Sequence, residues 1–236
     1  MDHQQYIAEI KFSVLMWSVM GFFYLYYYTT HSRSFLKIAE ENFSPQLQNT
    51  ALFLAKKLTG SLLLGIIPGI LYYFLIRPDF SEFGLTFSDF KTNLLLIVIL
   101  TLIIFSFFFI YQKFNATGES LQAERNFSTL SVNAVGWIVY LTGYEFLFRG
   151  ILLIACYHFL GFWPAIAVNI AIYSAIHMVN GKIQTIGSLI FGFVACYFTL
   201  TRGTILIPIF MHIALSIFAD YFNQSQKNQI WISPNQ

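Results

Sequence analysis

The feature that most constrains this chain is a series of long apolar stretches that recurs from one end to the other. A helix that crosses a membrane needs about 20 consecutive, mostly apolar residues. The sequence therefore predicts an all-α, polytopic transmembrane helix bundle with about seven spans and room for an eighth. The seven predicted spans lie near 11–30, 58–76, 93–111, 130–156, 159–177, 184–201 and 203–222.

The composition agrees with a chain that is solvated by lipid. Hydrophobic residues make up 57% of the sequence and charged residues 10%, against roughly 45–50% and 25% in soluble domains. The aromatic share of 19% suits lipid-facing helices and interfacial belts. The net charge of +2 comes from scattered Lys and Arg, which excludes the basic face that nucleic-acid binding requires. The lipid bilayer is the predicted surrounding, and nucleic acid is not a predicted partner.

The chain shows no internal repeat or linker, and we expect a single membrane domain over residues 1–236. The longest polar stretch, 31–57, is predicted to be a surface loop or an interfacial segment that leads into the second span. Gly65, Pro68 and Gly69 interrupt that span. Because neighbouring helices can satisfy freed backbone groups, a kink is expected there rather than a break.

Four of the ionisable side chains inside the predicted spans draw attention. Such groups are expensive at bilayer depth, face the interior of a bundle and indicate a functional site. Glu145 and Arg149 are four residues apart, so they can pair along one face of a helix. His177 lies on the next long helix and His212 on the last one. Three helices thus offer polar groups to one interior.

Two kinds of chemistry fit this set. A single histidine in an apolar helix is usually a packing residue, but two on separate spans beside a carboxylate favour a site. Glu145, His177 and His212 could bind a metal such as zinc, since imidazole and carboxylate are common zinc ligands. Alternatively, they could hold a water molecule beside a general base.

Three short motifs carry these residues in a fixed order. They are Tyr144-Glu145-x-x-x-Arg149-Gly150, Tyr173-x-x-x-His177 and Pro208-Ile209-x-x-His212-x-x-x-Ser216. Together they resemble the motifs of the CPBP family of intramembrane proteases, which includes the type II CAAX prenyl endopeptidases and bacteriocin-processing or immunity proteins. The family's motifs are Glu-Glu-x-x-x-Arg, Phe-x-x-x-His and His-x-x-x-Asn or Asp. The resemblance covers about 130–222, with a weaker family-like feature at 83–85.

The resemblance implies a CAAX-endopeptidase-like fold and a catalytic set of six positions, two of which depart from the family's pattern. The family's first Glu is taken as the base that activates water, and Tyr144 replaces it here. A phenol is a poor base at neutral pH because its unperturbed pKa is about 10. Ser216 replaces an Asn that resembles an oxyanion-stabilising donor. The remaining positions are Glu145, Arg149, His177 and His212.

Glu145 is not a simple substitute for the missing base, because one residue corresponds to about 100° of helix rotation. The first hypothesis is therefore a protease-like protein with impaired or silent catalysis that binds a membrane partner as scaffold, regulator or immunity protein. The second is an active intramembrane endopeptidase that cleaves a membrane-anchored peptide or protein, with Glu145 as base. A transporter is a lesser alternative. The resemblance also implies a bacterial inner membrane.

Overall fold

The computed structural model describes residues 3–76, 83–86, 89–115 and 127–223. Ten α-helices and two π-helical segments make up nearly all of this part, and no strand occurs in it. The α-helices are α1 His3–His31, α2 Arg33–Asn42, α3 Pro45–Ser61, α4 Ile67–Ile76, α5 Phe90–Asn115, α6 Phe127–Glu145, α7 Ile154–Leu160, α8 Phe162–His177, α9 Lys182–Arg202 and α10 Leu206–Asn223. The predicted all-α fold is confirmed.

Six continuous helical stretches among the described residues are long and apolar enough to cross a membrane. They are Glu9–His31, Leu47–Leu75, Phe90–Tyr111, Thr129–Leu160, Phe162–Asn180 and Lys182–Arg202. The last predicted span forms a shorter apolar helix, Leu206–Phe222. It starts late because Gly203, with φ +63°, ends α9 in the left-handed conformation that glycine favours. The multi-pass architecture is confirmed, with one of the seven predicted spans shorter than expected.

The helix that carries the first motif lies at the centre of the bundle. In its most apolar window 67% of the residues are buried, against at most 28% in the other five candidate spans. It packs against α3 and α10, while α8 packs against α9 and α5 packs against α10. By contrast, none of the residues in the corresponding window of α5 is buried. The motif helix is therefore shielded from lipid, whereas α5 is peripheral.

The second span stays helical where the kink was predicted. A π-helical segment, Leu62–Ile66, joins α3 to α4, and the N–H of Ile67, the first residue of α4, donates to Leu62 O. Pro68 cannot donate a backbone hydrogen bond, and the wider turn just before it accommodates that loss. A Cβ on Gly65 would stand 2.7 Å from Gly143 Cα. The two glycines thus let the π-helical segment and α6 approach closely, as small residues do in membrane bundles.

The polar stretch 31–57 is helical in the structure. Helix α2 occupies its first part, and α3 begins at Pro45. The Gln48 side chain ties the two helices together by donating to Glu40 O and Phe43 O, both at 3.2 Å. Whether this pair of helices lies in the membrane interface stays a prediction.

The weaker family-like feature at 83–85 packs against the start of α10. Ile205 N donates to Gly84 O at 2.9 Å, and Thr86 Oγ1 donates to Gly203 O at 3.0 Å. Phe83 is buried and its ring contacts Tyr72 edge-on, with centroids 5.0 Å apart. This short segment therefore anchors the turn that leads into α10.

Substitution of Gly65 by Ala tests the close approach of the π-helical segment to α6. The added methyl group would overlap the backbone at Gly143, so we expect a loss of about 1–3 kcal/mol in unfolding free energy. The matched control is Gly187→Ala, because a Cβ on Gly187 meets no atom within 4 Å. Thermal unfolding in detergent should show a lower Tm only for Gly65→Ala, and equal Tm values would contradict the proposed contact.

Candidate functional site

The first motif lies where the central helix changes its winding. Glu145 is the last residue of α6, and the second π-helical segment, Phe146–Leu153, follows it directly. The Asn169 side chain donates to Phe148 O at 2.7 Å, and the Cys196 thiol donates to Asn169 Oδ1 at 3.1 Å. Asn169 on α8 thus satisfies a backbone carbonyl of the π-helical segment, and Cys196 on α9 supports the Asn169 side chain. Single π-helical turns are frequent at functional sites.

The Glu145 carboxylate is the centre of the site. His212 Nδ1 donates to Oε1 at 2.5 Å, and Arg149 NH1 stands 3.0 Å from Oε2 as an ion pair that lacks hydrogen-bond alignment. Glu145 and Arg149 are 0% exposed and His212 is 8% exposed. Both carboxylate oxygens are therefore engaged, one by the adjacent turn of the same helix and the other by α10.

The Arg149 guanidinium has aromatic neighbours in addition to its carboxylate partner. Its central carbon lies 4.3 Å from the ring centroid of Tyr173 and 5.7 Å from that of Phe191. Aromatic faces attract a cation, and the attraction grows when the pair is desolvated. The buried charge of Arg149 is thus compensated by one carboxylate and by rings from α8 and α9. Phe191 belongs to none of the three motifs, so no sequence pattern pointed to its place beside Arg149.

His177 joins the site through Tyr173. Its Nδ1 lies 2.8 Å from Tyr173 O, and since a carbonyl oxygen only accepts, Nδ1 carries the proton and neutral His177 keeps a lone pair on Nε2. The two rings contact each other with centroids 4.5 Å apart, and the Tyr173 ring is 6.4 Å from that of His212. Tyr173 therefore contacts both histidines.

Tyr144 occupies the position of the family's general base with an aromatic ring. It is 3% exposed, and its ring centroid lies 4.6 Å from Phe148, 6.0 Å from Tyr173 and 5.9 Å from His212. Its hydroxyl has no hydrogen-bond partner within the part of the chain that the structure describes. The Tyr144 ring therefore lies beside His212.

Ser216 lies one helical turn beyond His212 on α10 and is 8% exposed. No hydrogen bond joins its hydroxyl to Glu145 or His212 within the described ranges. Glu145, Arg149, His212 and Tyr144 thus converge, with His177 beside them across Tyr173, and Ser216 is the sixth predicted position. The catalytic role of each of the six stays a prediction.

The residues suggested as metal ligands are Glu145, His177 and His212. Among residues 3–76, 83–86, 89–115 and 127–223, no three His, Cys, Asp or Glu side chains are grouped as metal ligands. His212 Nδ1 is bonded to Glu145, and His177 Nδ1 is bonded to its own helix. Each histidine keeps Nε2 open as a possible ligand atom, which is the usual arrangement of a metal-bound imidazole, so the suggested set of Glu145, His177 and His212 stays a prediction.

Removing one partner of the buried ion pair should destabilise the fold strongly. Arg149→Met leaves the Glu145 carboxylate buried without its cation, and such losses cost roughly 3–5 kcal/mol. The control is Asp89→Asn, which breaks the 3.4 Å pair with Arg202; an exposed pair is worth at most about 1 kcal/mol. Thermal and denaturant unfolding in detergent measure the difference, and equal losses would contradict the central place of this pair.

Comparison with known families supports the assignment that the motifs indicated. Residues 126–218 match the family described as Type II CAAX prenyl endopeptidase Rce1-like. The matched range runs from the start of α6 into α10 and includes all six predicted site residues. Comparisons with curated proteins and with solved structures gave no match. The chain is a multi-pass membrane protein, and its α6–α10 region is similar to the Rce1-like type II CAAX prenyl endopeptidases.

Proposed function

We propose that this protein is a catalytically silent member of the CPBP family that acts by binding a membrane-anchored protein or peptide. It would serve as a scaffold, regulator or immunity protein in a bacterial inner membrane. The observation that carries the proposal is the pairing of two facts. Tyr144 stands where the family has its base, and the neighbouring carboxylate of Glu145 is engaged on both oxygens.

Water activation needs a base whose lone pair faces the space that the water occupies. Glu145 is 0% exposed, and its oxygens face Arg149 and His212. Its geometry fits a structural role, in which the carboxylate holds α10 against α6. The Tyr144 ring supplies no carboxylate and takes up space beside His212. Neither residue is therefore placed to remove a proton from water.

Binding can outlast chemistry on a shared fold, because the scaffold does not depend on the reaction. Helix α5 offers a surface for such binding. It contacts α10 through Phe105 and Phe108, which face Phe218 and Phe222. The rest of the helix exposes apolar side chains such as Leu102, at 58% exposure. This face can contact lipid or the transmembrane segment of a partner.

A second candidate function, intramembrane proteolysis, is favoured by one observation. The hydrogen bond from His212 Nδ1 to Glu145 leaves Nε2 of a neutral imidazole as the basic atom. In serine proteases a carboxylate orients a histidine base in the same way. If the protein cuts peptides, we expect His212 to act as base and Glu145 to position it, which reverses the role that the sequence predicted for Glu145.

Cleavage of a prenylated CAAX peptide by the purified protein in proteoliposomes distinguishes the two functions. We expect no cleavage above empty liposomes for the natural sequence. Tyr144→Glu should restore cleavage, because general acid–base groups contribute on the order of 10²–10⁴-fold.

The matched control is Tyr144→Gln. Glutamine is similar in size to glutamate but has no carboxylate, so this variant should stay silent. His177→Ala added to Tyr144→Glu should remove any restored cleavage. Thermal unfolding shows whether each variant is folded. Cleavage by the natural sequence that is lost in His212→Ala would overturn catalytic silence and establish the endopeptidase instead.

A further inference from the structure

A second polar contact joins α6 to α10 outside the three motifs. Asp220 Oδ2 accepts hydrogen bonds from Trp137 Nε1 at 2.9 Å and from Asn133 Nδ2 at 3.3 Å. Asp220 is 8% exposed, as is His212 on the same helix. An acidic side chain this buried in a membrane protein is expensive and commonly has a specific role.

The two contacts are separated by the same distance on both helices. On α10, His212 and Asp220 are eight residues apart, and on α6, Trp137 and Glu145 are also eight residues apart. At 1.5 Å per residue, each interval spans about 12 Å. Because Glu145 meets His212 and Trp137 meets Asp220, the helices are antiparallel and both contacts fit one register.

A single residue of slip would break this match. It would shift α10 by about 1.5 Å along its axis and rotate it by about 100°. If only one contact joined the two helices, a change of side-chain rotamer could preserve it through a smaller shift of α10. Two contacts about 12 Å apart resist both sliding and tilting, because one adjustment cannot satisfy both ends.

A third helix holds the indole in place. The Lys57 ammonium on α3 lies 3.4 Å from the Trp137 ring centroid and 4.2 Å from that of Tyr140. A cation over an aromatic face restrains the plane of the ring, and here it fixes the direction in which the indole N–H points. The contact between Trp137 and Asp220 is therefore oriented from the side of α3 as well.

We infer that Asp220 is a positioning residue that sets the register of α10 on α6 and thereby places His212 Nδ1 at the Glu145 carboxylate. The inference concerns the geometry of the site and holds for a silent or an active protein. The same register puts Ser216 and Leu141 level with each other, each four residues from both contacts. A small side chain at Ser216 suits a position level with a buried leucine.

Nuclear magnetic resonance of the full-length protein, labelled with ¹⁵N-histidine in nanodiscs, tests this inference. The short hydrogen bond from His212 Nδ1 to Glu145 should give a downfield N–H signal, which is assigned by its loss in His212→Asn. We expect Asp220→Ala to abolish this signal or move it to the range of ordinary imidazoles. Asp220→Asn keeps a carbonyl acceptor for Trp137 and should retain the signal.

Trp137→Phe provides an independent variant in case Asp220→Ala does not fold. It removes the same N–H donor, keeps an aromatic ring and should also shift the His212 signal. The control is Asn93→Ala, which removes a partly buried hydrogen bond from Arg202 Nε, 3.0 Å long, between α9 and α5. An unchanged signal in Trp137→Phe and in folded Asp220→Ala would overturn the inference, as would an equal shift in Asn93→Ala.

Discussion

The structure depends on how the buried charge of Glu145 is compensated. Its carboxylate holds Arg149 within its own helix and His212 on α10. In a low-dielectric interior, burying a charge without a partner costs far more free energy than pairing it with a partner gains. The positions of α6 and α10 are therefore tied to one carboxylate, and rings from α8 and α9 enclose the guanidinium. Four helices thus meet around one ion pair.

This arrangement gives the departures from the CPBP pattern a physical meaning. The part of the first motif that binds Arg149 is retained, and the part that would activate water is replaced by Tyr144. An aromatic ring there packs against Phe148 and Tyr173 and so contributes to a closed interior. Under the proposed function, the scaffold requires the retained residues, whereas only the reaction would require the carboxylate that the family has in place of Tyr144. Loss of the water-activating carboxylate without loss of the retained residues is therefore physically feasible.

Local rules predicted much of the fold and part of the site. The length of the apolar stretches predicted the spans. The spacing of Glu145 and Arg149 predicted their ion pair, because residues four apart share a helix face. The contact of Glu145 with His212, the place of Tyr173 between two histidines and the bond from Trp137 to Asp220 depend on the register between helices. A single sequence does not encode that register in any local pattern.

A double-mutant cycle between Glu145 and His212 tests the central claim most directly. The unfolding free energies of Glu145→Gln, His212→Ala and the double variant are measured in one detergent and at one pH. Residues that share a buried polar contact are coupled by about 0.5–3 kcal/mol, and we predict a coupling above about 1 kcal/mol. Losses that add within about 0.5 kcal/mol would contradict the account, because Glu145 would then not hold α10 through His212.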